Sequence, residues 1–129
     1  SQADYFQATK GGGHGDYRLI VLAPDSVKEM YDLTFLAFDL ADKYRIPVMI
    51  LTDGIVGQMM EPVEAMKNEK LKIKNYEKDW KLDGCKGREP RLMRSLIMEE
   101  GGLEKHNWHL KEKYDDIKKK RDKILSGFY

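Results

Sequence analysis

The chain has almost no cysteine: Cys85 is the single one in 129 residues. A lone thiol excludes an internal disulfide framework. It also excludes an iron–sulfur cluster or a zinc site built from several thiolates of this chain. Long apolar runs are missing as well. The longest, Leu19 to Ala23, is far short of the roughly 20 residues that a transmembrane helix needs. Twin-arginine, lipidation and signal-peptide patterns are not found, so a cytoplasmic domain with no membrane contact is expected. What is present points to a folded chain. Hydrophobic residues make up 41%, too many for a disordered polymer, while charged residues reach 35%, above the roughly one quarter of an ordinary globular domain.

No single sign of charge dominates, and the net charge of +1 hides an asymmetry. Residues 1–63 carry 5 Lys and Arg against 9 Asp and Glu, a charge of −4. Residues 64–129 carry 18 against 13, a charge of +5. The first stretch holds the compact apolar runs and a glycine cluster; the second is rich in lysine with scattered apolar residues. Such a shift marks a boundary between a packed domain and a peripheral extension. It is expected near Val63 to Lys67, giving a region 1–66 and an arm 67–129.

The first region reads as an α/β fold with a partial parallel sheet. Gln2 to Ala8 suits a short helix, followed by the loop Gly11-Gly12-Gly13-His14-Gly15-Asp16. Tyr17 to Leu22 reads as a strand, because Leu19 to Leu22 are apolar without alternation, as in a parallel strand buried on both faces. Asp25 or Ser26 can cap a helix, with Glu29 completing a capping box after Ser26. That helix runs to about Tyr44. Its apolar face is read as Val27, Met30, Tyr31, Thr34, Ala37, Phe38, Ala41 and Tyr44, widened by Leu33, Leu36 and Leu40. After Pro47, Val48 to Leu51 form a second strand, closed by Thr52-Asp53-Gly54. Strand, helix and strand make a right-handed βαβ unit, and ligands of such sheets gather at the carboxyl ends of the strands. Those ends are Ala23-Pro24-Asp25 and Thr52-Asp53-Gly54. Two such strands leave open apolar edges, so further strands must come from elsewhere.

The arm predicts a short helix around Arg91 to Met98 and a break at Gly101-Gly102. A long helix then spans Leu103 to Leu125. Leu103, Leu110, Ile117 and Ile124 recur every seven residues, with Asn107 and Tyr114 beside them. So narrow a stripe suits a helix lying on a neighbour's surface.

Chemistry is sparse. Gly13, His14, Gly15 and Asp16 form the candidate pocket or interface, a glycine loop that lets backbone approach a ligand and carries one imidazole that titrates near neutrality. The loop is neither a Walker A sequence nor a dinucleotide fingerprint, since it precedes a strand. His106 and His109 share a helix face but lack further ligands, so no metal site is expected. Cys85 has a cationic neighbour in Lys86 and reads as an incidental thiol. Lys86, Arg88, Arg91 and Arg94 form a basic patch. Glu89, Glu99 and Glu100 interrupt it, which argues against nucleic acid.

Several runs carry a resemblance. Ser1 to Ala8, Gly11 to Arg18, Leu22-Ala23-Pro24, Leu36 to Arg45, Pro47 to Leu51, Asp53-Gly54 and Gly57-Gln58-Met59-Met60-Glu61-Pro62-Val63 are similar to the alpha subunit of 2-oxoacid:ferredoxin oxidoreductases. In the arm, Lys86-Gly87-Arg88, Ser95-Leu96, Leu103 to Asn107 and Lys113-Tyr114 continue the likeness. The Gly57 to Val63 run most resembles the branch acting on branched-chain 2-oxoacids such as 2-oxoisovalerate. The 2-oxoglutarate branch is the near neighbour, and the pyruvate branch fits less well.

The resemblance implies a complex that decarboxylates a 2-oxoacid on thiamine diphosphate, passes electrons through iron–sulfur clusters in partner subunits to ferredoxin, and forms an acyl-coenzyme A. Residues 1–66 then correspond to the C-terminal half of the domain facing the aminopyrimidine ring, and residues 67–129 to a linker and helical arm. The family's catalytic glutamate and its substrate-binding Thr and Arg fall upstream of Ser1. No catalytic residue is therefore expected in this chain. The other subunits and an N-terminal half-domain are expected partners, and the isolated chain should be inactive. The alternative is a non-enzymatic interaction module that uses the basic helical arm.

Overall fold

The computed structural model describes residues 3–11, 17–65 and 78–126, of which 122–126 are described by backbone alone. The element order is α1 (Asp4–Lys10), β1 (Ile20–Leu22), α2 (Val27–Tyr44), β2 (Val48–Ile50), a short 3-10 turn (Val56–Gln58) and α3 (Gly102–Ser126). The chain divides into two compact units, Ser1–Glu77 and Lys78–Tyr129. Among the described residues no helix is long and apolar enough to cross a membrane.

In the first unit, β1 and β2 pair in parallel, Ile20 opposite Val48, Val21 opposite Met49 and Leu22 opposite Ile50. Strand, helix and parallel strand follow one another as expected. The ladder is shorter than the apolar runs, however, and β1 begins at Ile20 rather than Tyr17. Pairing decides this. In this register residues 17–19 would face 45–47, where Arg45 has a positive φ of 47° and Pro47 has no N–H to donate. Ile20 donates to the Pro47 carbonyl at 3.3 Å instead, and at the other end Leu51 donates to the Leu22 carbonyl at 2.8 Å.

Helix α2 starts where its cap requires. The Ser26 hydroxyl accepts from the Glu29 amide at 3.1 Å, and the Glu29 carboxylate accepts from the Asp25 amide at 2.8 Å. This is a capping box displaced by one residue, since the returning carboxylate reaches the amide before the cap. Ser26→Ala should destabilise the unit by about 1 kcal/mol, read from the midpoint of urea unfolding; an unchanged midpoint would mean that Glu29 alone suffices. At the other end Arg45 takes the left-handed conformation and stops the helix.

The buried face of α2 is not centred where the periodicity placed it. Leu33, Leu36, Ala37, Leu40 and Tyr44 are the buried helix residues, and with Leu22 and Ile46 they make the core. Phe38 is 61% exposed. Val27, Met30, Tyr31, Thr34 and Ala41 are only half-buried. The leucines that seemed to widen the face are its centre, and Phe38 stands on a second flank. Tyr31 and Phe35 meet edge to face on that side, 5.2 Å between centroids. Among the described residues the buried phenol oxygen of Tyr44 has no hydrogen-bond partner.

In the second unit the predicted helix from Arg91 to Met98 does not form. Leu92, Leu96 and Met98 are exposed, and so short a helix without an apolar face to bury is marginal in water. The Gly101-Gly102 break occurs as expected. Gly101 has a φ of +70°, and a Cβ on Gly102 would sit 2.8 Å from Ile97 Cγ2. Helix α3 follows almost as the spacing predicts. Its stripe is open: Leu103 is exposed, while Leu110, Tyr114 and Ile117 are half-buried.

Candidate functional site

The carboxyl edge of the two strands is the best-organised surface of the first unit. After β1 the chain turns through Ala23-Pro24-Asp25 into the α2 cap. After β2 it turns through Thr52-Asp53-Gly54. The Asp53 carboxylate accepts from the Ile55 amide at 2.7 Å, an Asx turn of the kind aspartate favours. The Asp53 carbonyl takes the Gly57 amide at 3.0 Å, and the Met59 amide closes the 3-10 turn onto the Ile55 carbonyl at 3.0 Å.

A further contact joins the two turns. The Glu61 carboxylate accepts from the Val27 amide at 3.1 Å. An anion at the start of a helix satisfies an amide that has no partner within the helix and meets the positive end of the helix dipole. Glu61 thereby draws the segment after β2 onto the start of α2, which itself follows β1. Sequence reasoning singled out the run around Glu61 as a motif but gave this residue no task. The free amides at the α2 start were the available signal, although nothing local names which distant carboxylate reaches them.

Of the residues singled out from sequence, Gly13, His14, Gly15 and Asp16 lie outside the described residues. His106 and His109 are exposed on α3, and Cys85 is exposed. Among the described residues no group of three or more His, Cys, Asp or Glu is placed to hold a metal ion.

Two arginines of the basic patch are engaged within their own unit. Arg88 donates to the Lys81 carbonyl at 3.3 Å and to the Asp83 carboxylate at 3.1 Å. Arg91 donates to the carbonyls of Lys81 at 2.8 Å and Lys78 at 3.3 Å. These arginines hold the 78–91 loop together. The hydrogen bond from Lys81, and after it that from Arg88, bring the Asp83 carboxyl down from the usual 3.8 to about 2. A lowered carboxyl pKa stabilises the loop above the ordinary carboxylate range, and the effect is lost as pH falls toward about 2. NMR of the Asp83 carboxyl should therefore give a midpoint near 2, and a midpoint at the ordinary value would refute the ion-pair geometry. On α3, Lys111 bonds Asp115 at 2.6 Å and Lys120 bonds Asp116 at 2.8 Å. The hydrogen bond with Asp115 raises the Lys111 pKa, and its counterpart lowers that of Asp115.

A parallel βαβ unit with its turns gathered at the carboxyl edge defines an α/β class of domain, whose ligands ordinarily bind at that edge. The comparison with protein families is more particular. The model described as pyruvate flavodoxin/ferredoxin oxidoreductase, thiamine diP-binding, matches residues 1–125, and the chain belongs to that family. Among curated relatives, the ketoisovalerate oxidoreductase subunit VorB of Methanothermobacter marburgensis is 49% identical over 113 residues, covering 88% of this chain and 32% of the relative. The same subunit of Methanothermobacter thermautotrophicus is 47% identical over 116 residues, 90% of this chain and 32% of the relative. The 2-oxoglutarate synthase subunit KorA of Methanocaldococcus jannaschii is 50% identical over 78 residues, 60% of this chain and 20% of the relative. The chain thus spans about a third of the length of the VorB relatives it matches. No solved structure matches it.

The described residues do not make a cradle for thiamine diphosphate. A diphosphate needs free amides or a bound cation, whereas the Val27 and Glu29 amides at the α2 start are already bonded to Glu61 and Ser26. The edge also carries carboxylates at Asp25, Asp53 and Glu61, which repel an anion. No chemical step is assigned to these residues through the cofactor.

Proposed function

We propose that this chain works as part of the alpha subunit of a 2-oxoacid:ferredoxin oxidoreductase of the 2-oxoisovalerate branch. The family match over residues 1–125, with 49% identity to a ketoisovalerate oxidoreductase subunit, carries this reading. The reaction is oxidative decarboxylation of the 2-oxoacid to an acyl-coenzyme A with reduction of ferredoxin. Thiamine diphosphate is held by the whole complex, and iron–sulfur clusters belong to partner subunits. The complex is cytoplasmic. Residues 1–66 contribute two strands and a covering helix to the pyrimidine-facing domain, and residues 67–129 form its arm. The rest of that domain supplies the catalytic glutamate and the remaining strands.

Two observations support a larger domain around this unit. Met49 on β2 remains 36% exposed, although parallel strands are ordinarily covered on both faces. The buried Tyr44 hydroxyl also lacks a partner among the described residues, and such groups are ordinarily bonded. Gly13, His14, Gly15 and Asp16 are assigned to the approach to the active site or to a subunit contact.

Reconstitution tests the reading. The chain combined with the other subunits and the rest of its domain should reduce ferredoxin or a viologen dye in the presence of 2-oxoisovalerate and coenzyme A. The chain alone should not. Activity of the isolated chain would overturn its proposed incompleteness, and a reconstituted complex inert toward every 2-oxoacid would overturn the assignment.

A further inference from the structure

Helix α2 is apolar on two opposite sides. Leu33, Leu36, Ala37, Leu40 and Tyr44 are buried on one of them. At 3.6 residues per turn the other side carries Lys28, Tyr31, Phe35, Phe38 and Asp42, spaced alternately three and four residues apart. Phe38 is 61% exposed, and Tyr31 and Phe35 are half-buried with their rings edge to face. This stripe is about 21 Å long. It runs from a cation through three aromatic rings to an anion. A helix apolar on both sides is ordinarily covered on both.

The two charges on the stripe oppose the dipole of their own helix. A helix favours anions in its first turn and cations in its last, and Glu29 and Lys43 follow that rule. Lys28 and Asp42 do the reverse, and both suit a helix running the other way. Each lies seven residues from Phe35. A second α2, turned antiparallel about a two-fold axis at Phe35, therefore sets Lys28 beside the partner's Asp42 and the negative end of the partner helix. Lys28 pairs with Asp32 of its own helix, but its side chain remains 64% exposed and within reach of a neighbour. The rings fill the middle, Phe35 against its own copy and Tyr31 beside the partner's Phe38. A parallel pairing would set like charges together. We propose that two copies of this chain associate through antiparallel packing of the α2 stripe, a self-complementary contact. Three rings per copy, two of them already half-buried, make an interface at the small end of the range. Association is accordingly weak, with a midpoint between about 10 and 100 µM. The contact holds whatever reaction the chain serves.

Sedimentation velocity of the full chain, from about 5 to about 500 µM, should show monomer passing to dimer. Phe38→Lys should keep the helical circular dichroism and weaken association by about tenfold or more. Lys28→Glu and Asp42→Lys should each weaken it about tenfold, because each sets two pairs of like charges across the axis. Both substitutions suit the dipole of α2, so the helix itself is not weakened. The double variant restores opposite charges and should return association to within about threefold of the wild type. A monomer at every concentration would overturn the inference and leave the stripe to the rest of the domain. Dimers unaffected by Phe38→Lys would also overturn it, since the contact would then lie elsewhere. If Phe38→Lys fails to fold, the charge variants decide: a double variant no better than the single ones excludes the antiparallel pairing.

Discussion

Leu40→Ala is expected to destabilise the first unit by about 3 kcal/mol, within the range for deleting a buried leucine side chain. Leu40 is 4% exposed, the least of the core residues, and the core of this unit is small. It comprises Leu22, Leu33, Leu36, Ala37, Leu40, Tyr44 and Ile46, contributed by one strand, one helix and the turn after it. With so few elements, the neighbours of a cavity at Leu40 have little freedom to close it. The loss includes both the transfer of the side chain and the contacts forfeited around the void. Phe38→Ala is the contrast: Phe38 is larger but 61% exposed, and its loss should cost under about 1 kcal/mol in the same urea titration. Equal effects at the two positions would show that the helix is centred on the Phe38 flank after all.

Met49→Lys separates the chain from the assembled complex. Residues alternate in direction along a strand, so Val48 and Ile50 share one face of β2 and Met49 stands on the other beside Val21, its register partner. In the unit as described a lysine at position 49 keeps its ammonium in water, and the circular dichroism of the chain should not change. The proposed larger domain covers that face, and a buried charge without a partner would then cost about 3 kcal/mol or more. The expected result is failure to assemble in gel filtration, with ferredoxin reduction lost in parallel. Normal assembly would mean that the Met49 face stays open and that completion occurs elsewhere.

The parts of this fold that were legible share a local cause. The α2 start is written in Ser26 and Glu29, whose side chains reach amides within one turn, and the break before α3 lies in two adjacent glycines. The close of β2 at Thr52-Asp53-Gly54 is likewise local, and the structure adds that Asp53 makes it by accepting from the Ile55 amide. The misread parts depend on distant partners. Tyr17 to Leu19 are strand-like residues that lie outside the ladder, which runs only from Ile20 to Leu22. Arg91 to Met98 is a helix-compatible stretch too short to hold a helix by itself, and Arg91 ties the 78–91 loop instead. The candidate site divides the same way. Its position at the strand ends followed from the βαβ order, whereas the bond between Val27 and Glu61 crosses 34 positions of sequence.

The amino-acid sequence by itself determined the family, the order of strand and helix, and the contrast between an acidic packed region and a basic arm. Each of these resides in composition, short-range capping and runs of identical residues. Tertiary structure alone decided which stripe of α2 is buried, where the ladder begins, and which carboxylate closes the carboxyl edge. Helical spacing allows two apolar flanks on α2, and only the sheet beneath it chooses between them. Only folding places Glu61 against an amide 34 residues away, leaving Met60 held in place with its side chain in solvent.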